Sequence, residues 1–201
     1  VKQILKQKKE RFNKKLKLIS SIPKFPFPQG PRVYQRQAFE NWVKNDYKGI
    51  FAMATGTGKT ISSLNCVVEE FKIHKQYNVI ITVPTVTLVN QWVDEAKKFR
   101  FNSIISTTNN KNWDKDLNRL LFNKEHGIGT NHNFLFITTY ASFNKPKCQK
   151  IINKITNKNT ILIADEAHNL GAPTSLKNLP YSILKRIGLS ATPERIYDDI
   201  G

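Results

Sequence analysis

Met53-Ala54-Thr55-Gly56-Thr57-Gly58-Lys59-Thr60 is the stretch whose reading decides the fold. The apolar run Ile50-Phe51-Ala52 precedes it, and Ile61, Leu64, Val67, Val68 and Phe71 recur behind it at helical intervals. The spacing therefore predicts a strand, a tight glycine turn and the start of a helix. Gly56 and Gly58 let a backbone approach an anion closely, and successive N–H groups at a helix start face that anion with the helix dipole behind them. Lys59 then reaches β- and γ-phosphates and the Thr60 hydroxyl is placed to ligate Mg2+. Met53 stands where the usual phosphate-loop pattern opens with glycine, so a chance glycine-rich turn is the alternative for this stretch taken alone.

The chain behind the loop repeats the same grammar. Val79 to Val83 is a β-branched run ended by Pro84, and a helix is predicted from Leu88 to Phe99 with Thr85 or Thr87 as its cap. Further apolar runs fall at residues 103–106, 134–138, 161–164 and 187–189, with helical or irregular segments between most of them. Alternation of this kind predicts an α/β domain, a mostly parallel sheet with helices on both faces. Residues 109–133, rich in Asn and Lys around Trp113, Leu117, Leu120 and Leu121, read as a surface helix with loose flanks.

Ile161-Leu162-Ile163-Ala164 runs directly into Asp165-Glu166-Ala167-His168. A buried strand that delivers carboxylates at its C-terminal end puts them where an open α/β sheet binds its ligand. Asp165 is placed to hold Mg2+ and Glu166 to orient and activate a water. A solvated strand end is the plain alternative. Ser190 and Thr192, in Gly188-Leu189-Ser190-Ala191-Thr192-Pro193, offer small hydroxyls able to hydrogen-bond toward His168 and sense a γ-phosphate, against the reading of a simple Pro-ended turn.

Upstream of the loop, Tyr34, Ala38, Phe39, Trp42 and Val43 form a helical stripe that reads as core. Gln35 lies on the same helix start, and its amide carries both the donor and the acceptor needed to read N6 and N7 of adenine. Pro23, Pro26, Pro28, Gly30 and Pro31 interrupt any helix before it and read as a connector. Residues 1–19 form a basic amphipathic pattern, either a solvated linker helix or a nucleic-acid contact.

Composition sets the remaining bounds. The 201 residues fit one domain, and 39% apolar residues suffice for a core. The formal charge of +17 favours a polyanionic partner. Eight basic residues against Glu10 fall in the first twenty, yet the rest of the chain is still strongly basic. Cys66 and Cys148 make no disulfide framework, and neither they nor the four histidines show metal-ligand spacing. With no signal-peptide pattern and no long apolar run, a soluble cytoplasmic protein is the expectation, and the start at Val1 suggests an excised piece of something longer.

These segments, in this order, resemble the first RecA-like domain of superfamily 2 helicases and translocases of the DEAH type. Arg32-Val33-Tyr34-Gln35 resembles the adenine-reading Q motif, and Ala54 to Thr60 motif I, in which a glycine at the Met53 position is commonly absent. Val83-Pro84-Thr85 with Leu88-Val89 and Gln91-Trp92 resembles motif Ia, Thr138-Thr139-Tyr140 motif Ib, Asp165 to His168 motif II, and Ser190-Ala191-Thr192 motif III. The resemblance covers residues 32–193. It implies a RecA-like P-loop fold over residues 31–201, with residues 1–30 as basic helix and connector. It implies ATP and Mg2+ held by Arg32, Gln35, Thr55, Gly56, Thr57, Gly58, Lys59, Thr60 and Asp165, with Glu166, Asp165 and Lys59 catalytic. His168, Ser190 and Thr192 would couple nucleotide state to motion, and Thr85, Thr139 and Tyr140 would meet nucleic acid. The flavour of the motifs is that of DNA translocases in restriction and repair.

The family closes ATP between two RecA-like domains, the second of which supplies arginines. This sequence ends eight residues after Pro193. The expectation is a chain that binds ATP, hydrolyses it slowly and needs a second RecA-like domain to act as a motor. A nucleotide-gated scaffold that clamps nucleic acid without moving is the alternative, whereas a P-loop metabolite kinase explains neither the segments after Pro84 nor the basic body.

Overall fold

The computed structural model describes residues 22–54, 56–129, 131–155, 159–168 and 177–191. The basic segment at residues 1–19, Thr55 and Thr192 lie outside them.

Six strands make one sheet: β1 (Lys48–Ala52), β2 (Asn78–Val83), β3 (Ile104–Ser106), β4 (Phe134–Thr139), β5 (Thr160–Ala164) and β6 (Lys185–Ser190). Their order is β1-β6-β5-β2-β4-β3 and every pairing is parallel. The expected mostly parallel sheet is thus wholly parallel among the described residues. Every residue of β2, β4 and β5 is buried, which is why these strands read as unbroken apolar runs rather than alternating ones.

Alternate side chains of the central strands feed two separate cores. Val79, Ile81, Val83, Leu135, Ile137, Ile161 and Ile163 pack under α1 (Val33–Lys44), α2 (Lys59–His74) and α3 (Val86–Lys98). Ile80, Phe134, Phe136 and Leu162 face the other way, under α4 (Trp113–Glu125), α5 (Tyr140–Phe143) and α6 (Pro146–Ile152). Each fully buried Leu, Ile or Phe in these layers contributes about 1.5–3 kcal/mol relative to exposure, so the sheet is held rigidly from both sides.

Two boundaries depart from the sequence expectation, each for a local reason. Helix α3 begins at Val86, because Thr85 is extended and its hydroxyl accepts from the Leu88 N–H at 3.3 Å, leaving Thr87 inside the helix. Strand β6 begins at Lys185, two residues before the apolar run, because the Arg186 carbonyl accepts from Trp42 Nε1 at 2.9 Å and Lys185 is buried against Glu70. The Pro-rich connector is docked rather than free: Phe25 sits edge-on to Phe99 at 5.6 Å between ring centroids, and the Lys24 N–H donates to the Phe99 carbonyl at 2.9 Å.

Parallel pairing has one functional consequence. The C-terminal ends of β1, β2, β4, β5 and β6 share one edge of the sheet, and the phosphate loop, Thr85, Thr139, Asp165 and Ser190 all lie along it.

Candidate nucleotide-binding site

The loop after β1 is shaped by its glycines. Gly56 and Gly58 have φ of 77° and 95°, in the left-handed region that other residues resist, and Gly58 is the residue that starts α2. A Cβ on Gly58 would stand 3.5 Å from Tyr34 Oη and 3.6 Å from Gln35 Nε2, so α1 closes against the loop here. Tyr34 Oη completes the closure by donating to the Thr57 carbonyl at 2.8 Å. Thr57 Oγ1 donates to the Ala54 carbonyl at 2.6 Å, which folds the loop onto itself.

Lys59 is 9% exposed and its ammonium donates to the Met53 carbonyl at 2.9 Å. The charge is thereby parked across the loop. Met53 in turn donates its N–H to the Ser190 carbonyl at 3.1 Å, joining the loop to the end of β6.

Asp165, 8% exposed, is gripped on both carboxylate oxygens. Trp92 Nε1 donates to Oδ2 at 2.8 Å, and the Glu166 N–H donates to Oδ1 at 3.0 Å. Its main-chain carbonyl accepts from Tyr140 Oη at 2.7 Å and its N–H donates to the Thr82 carbonyl at 2.9 Å. Glu166 follows with φ of 50°, a left-handed conformation that costs a non-glycine residue about 1–3 kcal/mol. Its Oε2 lies 3.5 Å from His168 Nδ1. Gly188 of β6 runs beneath this turn, where a Cβ would come within 3.1 Å of the Ala167 Cβ.

A cavity of about 400 Å³ is lined by Gly56, Gly58, Lys59, Thr60, Trp92 and Asp165, so three groups separated widely in sequence converge. The donor set fits a magnesium nucleotide. Loop N–H groups and one lysine suit phosphate oxygens, while a hydroxyl and a single held carboxylate suit a hard cation completed by phosphate and water. No cluster of three His, Cys, Asp or Glu that could hold a metal by itself exists among the described residues.

A second cavity, of about 200 Å³, joins the loop at Gly56, Thr57 and Gly58 to Arg32, Gln35 and the connector. Gln35 is buried and its Oε1 accepts from the Arg32 N–H at 2.8 Å, which fixes the amide at the start of α1. Phe25 and Phe27 line the same cavity. Sequence reasoning missed them because a proline-rich stretch reads as a linker; the pair of aromatics among the prolines was the available signal. Another cavity, of about 710 Å³, lies at the opposite end of the sheet by Asn78 and Phe134 and is lined by none of the predicted site residues.

The predicted nucleic-acid residues divide. Thr85 and Thr139 each cap a helix at the sheet edge, Thr139 Oγ1 accepting from the Ser142 N–H at 3.1 Å. Thr139 and Tyr140 are 7% and 8% exposed, alike in burial, and what sets Tyr140 apart is that its hydroxyl donates to the Asp165 main-chain carbonyl. Burial pushes the Tyr140 hydroxyl up from its ordinary pKa, which keeps it a donor. Ser190 is buried at the end of β6, while His168 is exposed and paired with Glu166; the Thr192 half of the proposed coupling lies outside the described residues.

The model of a family described as "Type III restriction enzyme, res subunit" matches residues 29–195. Among curated proteins, the chain is 28% identical over 182 residues to a DNA 3'-5' translocase XPB2 of Sulfurisphaera tokodaii, with 89% of this chain and 35% of that protein covered. The fold is shared with the Type ISP restriction-modification enzyme LlaGI, solved with a DNA substrate mimic, at TM-score 0.63 and 23% identity over 85% of this chain and 19% of that one. It is also shared with the Hef helicase domain of Pyrococcus furiosus, at TM-score 0.58 and 18% identity over 82% and 33%. The chain spans about a quarter to a third of the length of the curated relatives it matches.

Proposed function

We infer that this chain, which belongs to the family of the type III restriction enzyme res subunit, is the ATP-binding RecA-like half of a superfamily 2 motor that moves along nucleic acid, with DNA as its track. The observation that carries the reading is the single cavity lined by Lys59, Thr60 and Asp165.

Each residue then has a task. The N–H groups of Gly56, Gly58 and Lys59 surround the phosphates, and Lys59 leaves the Met53 carbonyl for a phosphate oxygen. Thr60 and Asp165 hold Mg2+, which when bound neutralises charge on the β- and γ-oxygens. Glu166 orients the attacking water and accepts its proton. Arg32 and Gln35 read the adenine edge, with Phe25 and Phe27 beside it. Thr85 and Thr139 donate to backbone phosphates, contacts that hold a strand without reading its bases. DNA is favoured over RNA because the cited translocase and restriction relatives are named for DNA.

Residues 31–201 form the motor domain and residues 1–30 its basic lead. The transferring phosphoryl also needs arginines from a second RecA-like domain, worth about a thousandfold or more in rate. This chain alone is therefore a slow ATPase. Glu166 favours a motor over a nucleotide-gated scaffold, because a clamp has no chemical use for a water-activating carboxylate.

The test is ATP binding by calorimetry, with turnover followed with and without single-stranded DNA. Magnesium-dependent binding with turnover far below that of motors carrying both domains supports the reading. Absence of binding, or robust DNA-stimulated turnover by these 201 residues, refutes it in whole or in its two-domain part.

A further inference from the structure

Asp165 receives its side-chain hydrogen bond from a residue 73 positions earlier. Trp92 is 1% exposed and belongs to the apolar stripe of α3 with Val89 and Ala96. A buried aromatic in that stripe needs no explanation beyond packing. The indole N–H does: it is a donor that never accepts, and it points at the one carboxylate proposed to ligate magnesium. A smaller apolar side chain such as Phe would still serve the apolar stripe, at the cost of a cavity, but would leave Oδ2 of a nearly buried carboxylate without that partner.

The rest of α3 gives the contact a second meaning. Thr85 is the exposed, extended residue that caps α3, and Trp92 lies about two turns further along the helix it caps. Tyr140, directly after Thr139, grips the main chain of the same aspartate. The helix that Thr85 caps thus carries the donor to the Asp165 carboxylate, and the residue after Thr139 carries the donor to its main chain.

We propose that Trp92 is a positioning residue: its indole N–H fixes the rotamer of the Asp165 carboxylate and ties the position of α3 to the magnesium site. The inference rests on the function proposed above. A hydrogen bond to a charged group held at 2.8 Å in a nearly buried place restrains the carboxylate strongly, so a shift of α3 is felt at Asp165. Trp92 also lines the cavity, and the role proposed for it runs through its hydrogen bond to Asp165.

The experiment compares the unaltered chain with Trp92→Phe by calorimetric titration of ATP, once in excess Mg2+ and once in EDTA. The expected result is about a tenfold loss of affinity in Mg2+ and unchanged affinity in EDTA, the signature of a damaged metal ligand on an intact phosphate loop. A merely structural role weakens both titrations together or neither, and either outcome overturns the inference. Should Trp92→Phe fail to fold, nitrogen-15 indole spectra of the unaltered chain decide, with the other two signals assigned by Trp42→Phe and Trp113→Phe. The Trp92 signal should move when Mg2+ is added to the ATP-bound chain and move again with oligothymidylate; a signal indifferent to both overturns the inference. If the unaltered chain binds ATP in neither buffer, the proposed function falls and this inference with it, whereas equal magnesium dependence in both proteins removes the inference alone.

Discussion

The ammonium of Lys59 rests on the carbonyl oxygen of Met53, 2.9 Å away, inside the loop whose phosphate it is proposed to hold. The loop is therefore closed on its own lysine, and binding a triphosphate exchanges a neutral acceptor for an anionic one. The ammonium is charged in both arrangements, and a phosphate adds the attraction of an opposite charge that a carbonyl lacks, so the exchange favours the nucleotide. Lys59→Ala should weaken ATP binding by about tenfold or more while leaving thermal stability within about 1 kcal/mol. Calorimetry against thermal unfolding separates the two effects.

Glu166 is proposed to act on water and not on the nucleotide itself, which predicts a different signature. Glu166→Gln keeps the side-chain shape and, through the main chain, the N–H that donates to Asp165 Oδ1. ATP affinity should stay within about twofold, because no ligand of phosphate or metal is lost, while turnover in the parent motor falls by about 100-fold or more. A variant that hydrolyses ATP normally would remove Glu166 from the proposed chemistry.

Much of this was legible from the sequence, and the exceptions have physical causes. The apolar runs of β2, β4 and β5 are strands because both faces of a parallel sheet are covered, and glycines mark the loop because its φ angles demand them. The convergence of Lys59 with Asp165 followed from strand ends sharing one edge. Trp92 was legible only as an apolar helix position, since periodicity reports burial and is silent on what a buried N–H reaches. The partner of Tyr140 was hidden for a related reason: a tyrosine at a strand end serves a ligand or a buried carbonyl equally well in sequence, and only the packing of the sheet brings its hydroxyl to the Asp165 carbonyl. Lys185 is charged, so hydropathy ended β6 too late at its start; its partner Glu70 lies 115 residues away.

Gly188 predicts how tightly the acidic turn is seated. A Cβ there would come within 3.1 Å of the Ala167 Cβ and 3.2 Å of Ile50 Cγ1, both tighter than ordinary contact. Gly188 has ordinary strand geometry, so the strain in Gly188→Ala is purely steric. Overpacking of this kind costs about 1–3 kcal/mol, seen as a lowered Tm. Because Ala167 follows Asp165 and Glu166 directly, the substitution should also weaken the magnesium-dependent part of ATP binding. Unchanged stability and unchanged magnesium dependence together would show that the turn is loosely seated.

The far end of the sheet carries a buried ion pair whose worth can be measured. Lys185 of β6 meets Glu70 of α2 with side chains 9% and 4% exposed, and the same ammonium lies 4.1 Å from the Tyr47 ring centroid. His74 Nε2 adds a contact to Glu70 Oε2 at 3.5 Å, while Oε1 has no hydrogen-bond partner among the described residues. Removing one member strands the other charge in the interior, so Lys185→Met should destabilise by about 3–5 kcal/mol. Removing both takes away the unpartnered oxygen as well, and Lys185→Met with Glu70→Leu should recover most of the loss. Thermal unfolding resolves this, at about 2–4 °C per kcal/mol for a chain of this size. A double variant no more stable than the single one would mean that Glu70 stabilises α2 through His74 and not through Lys185.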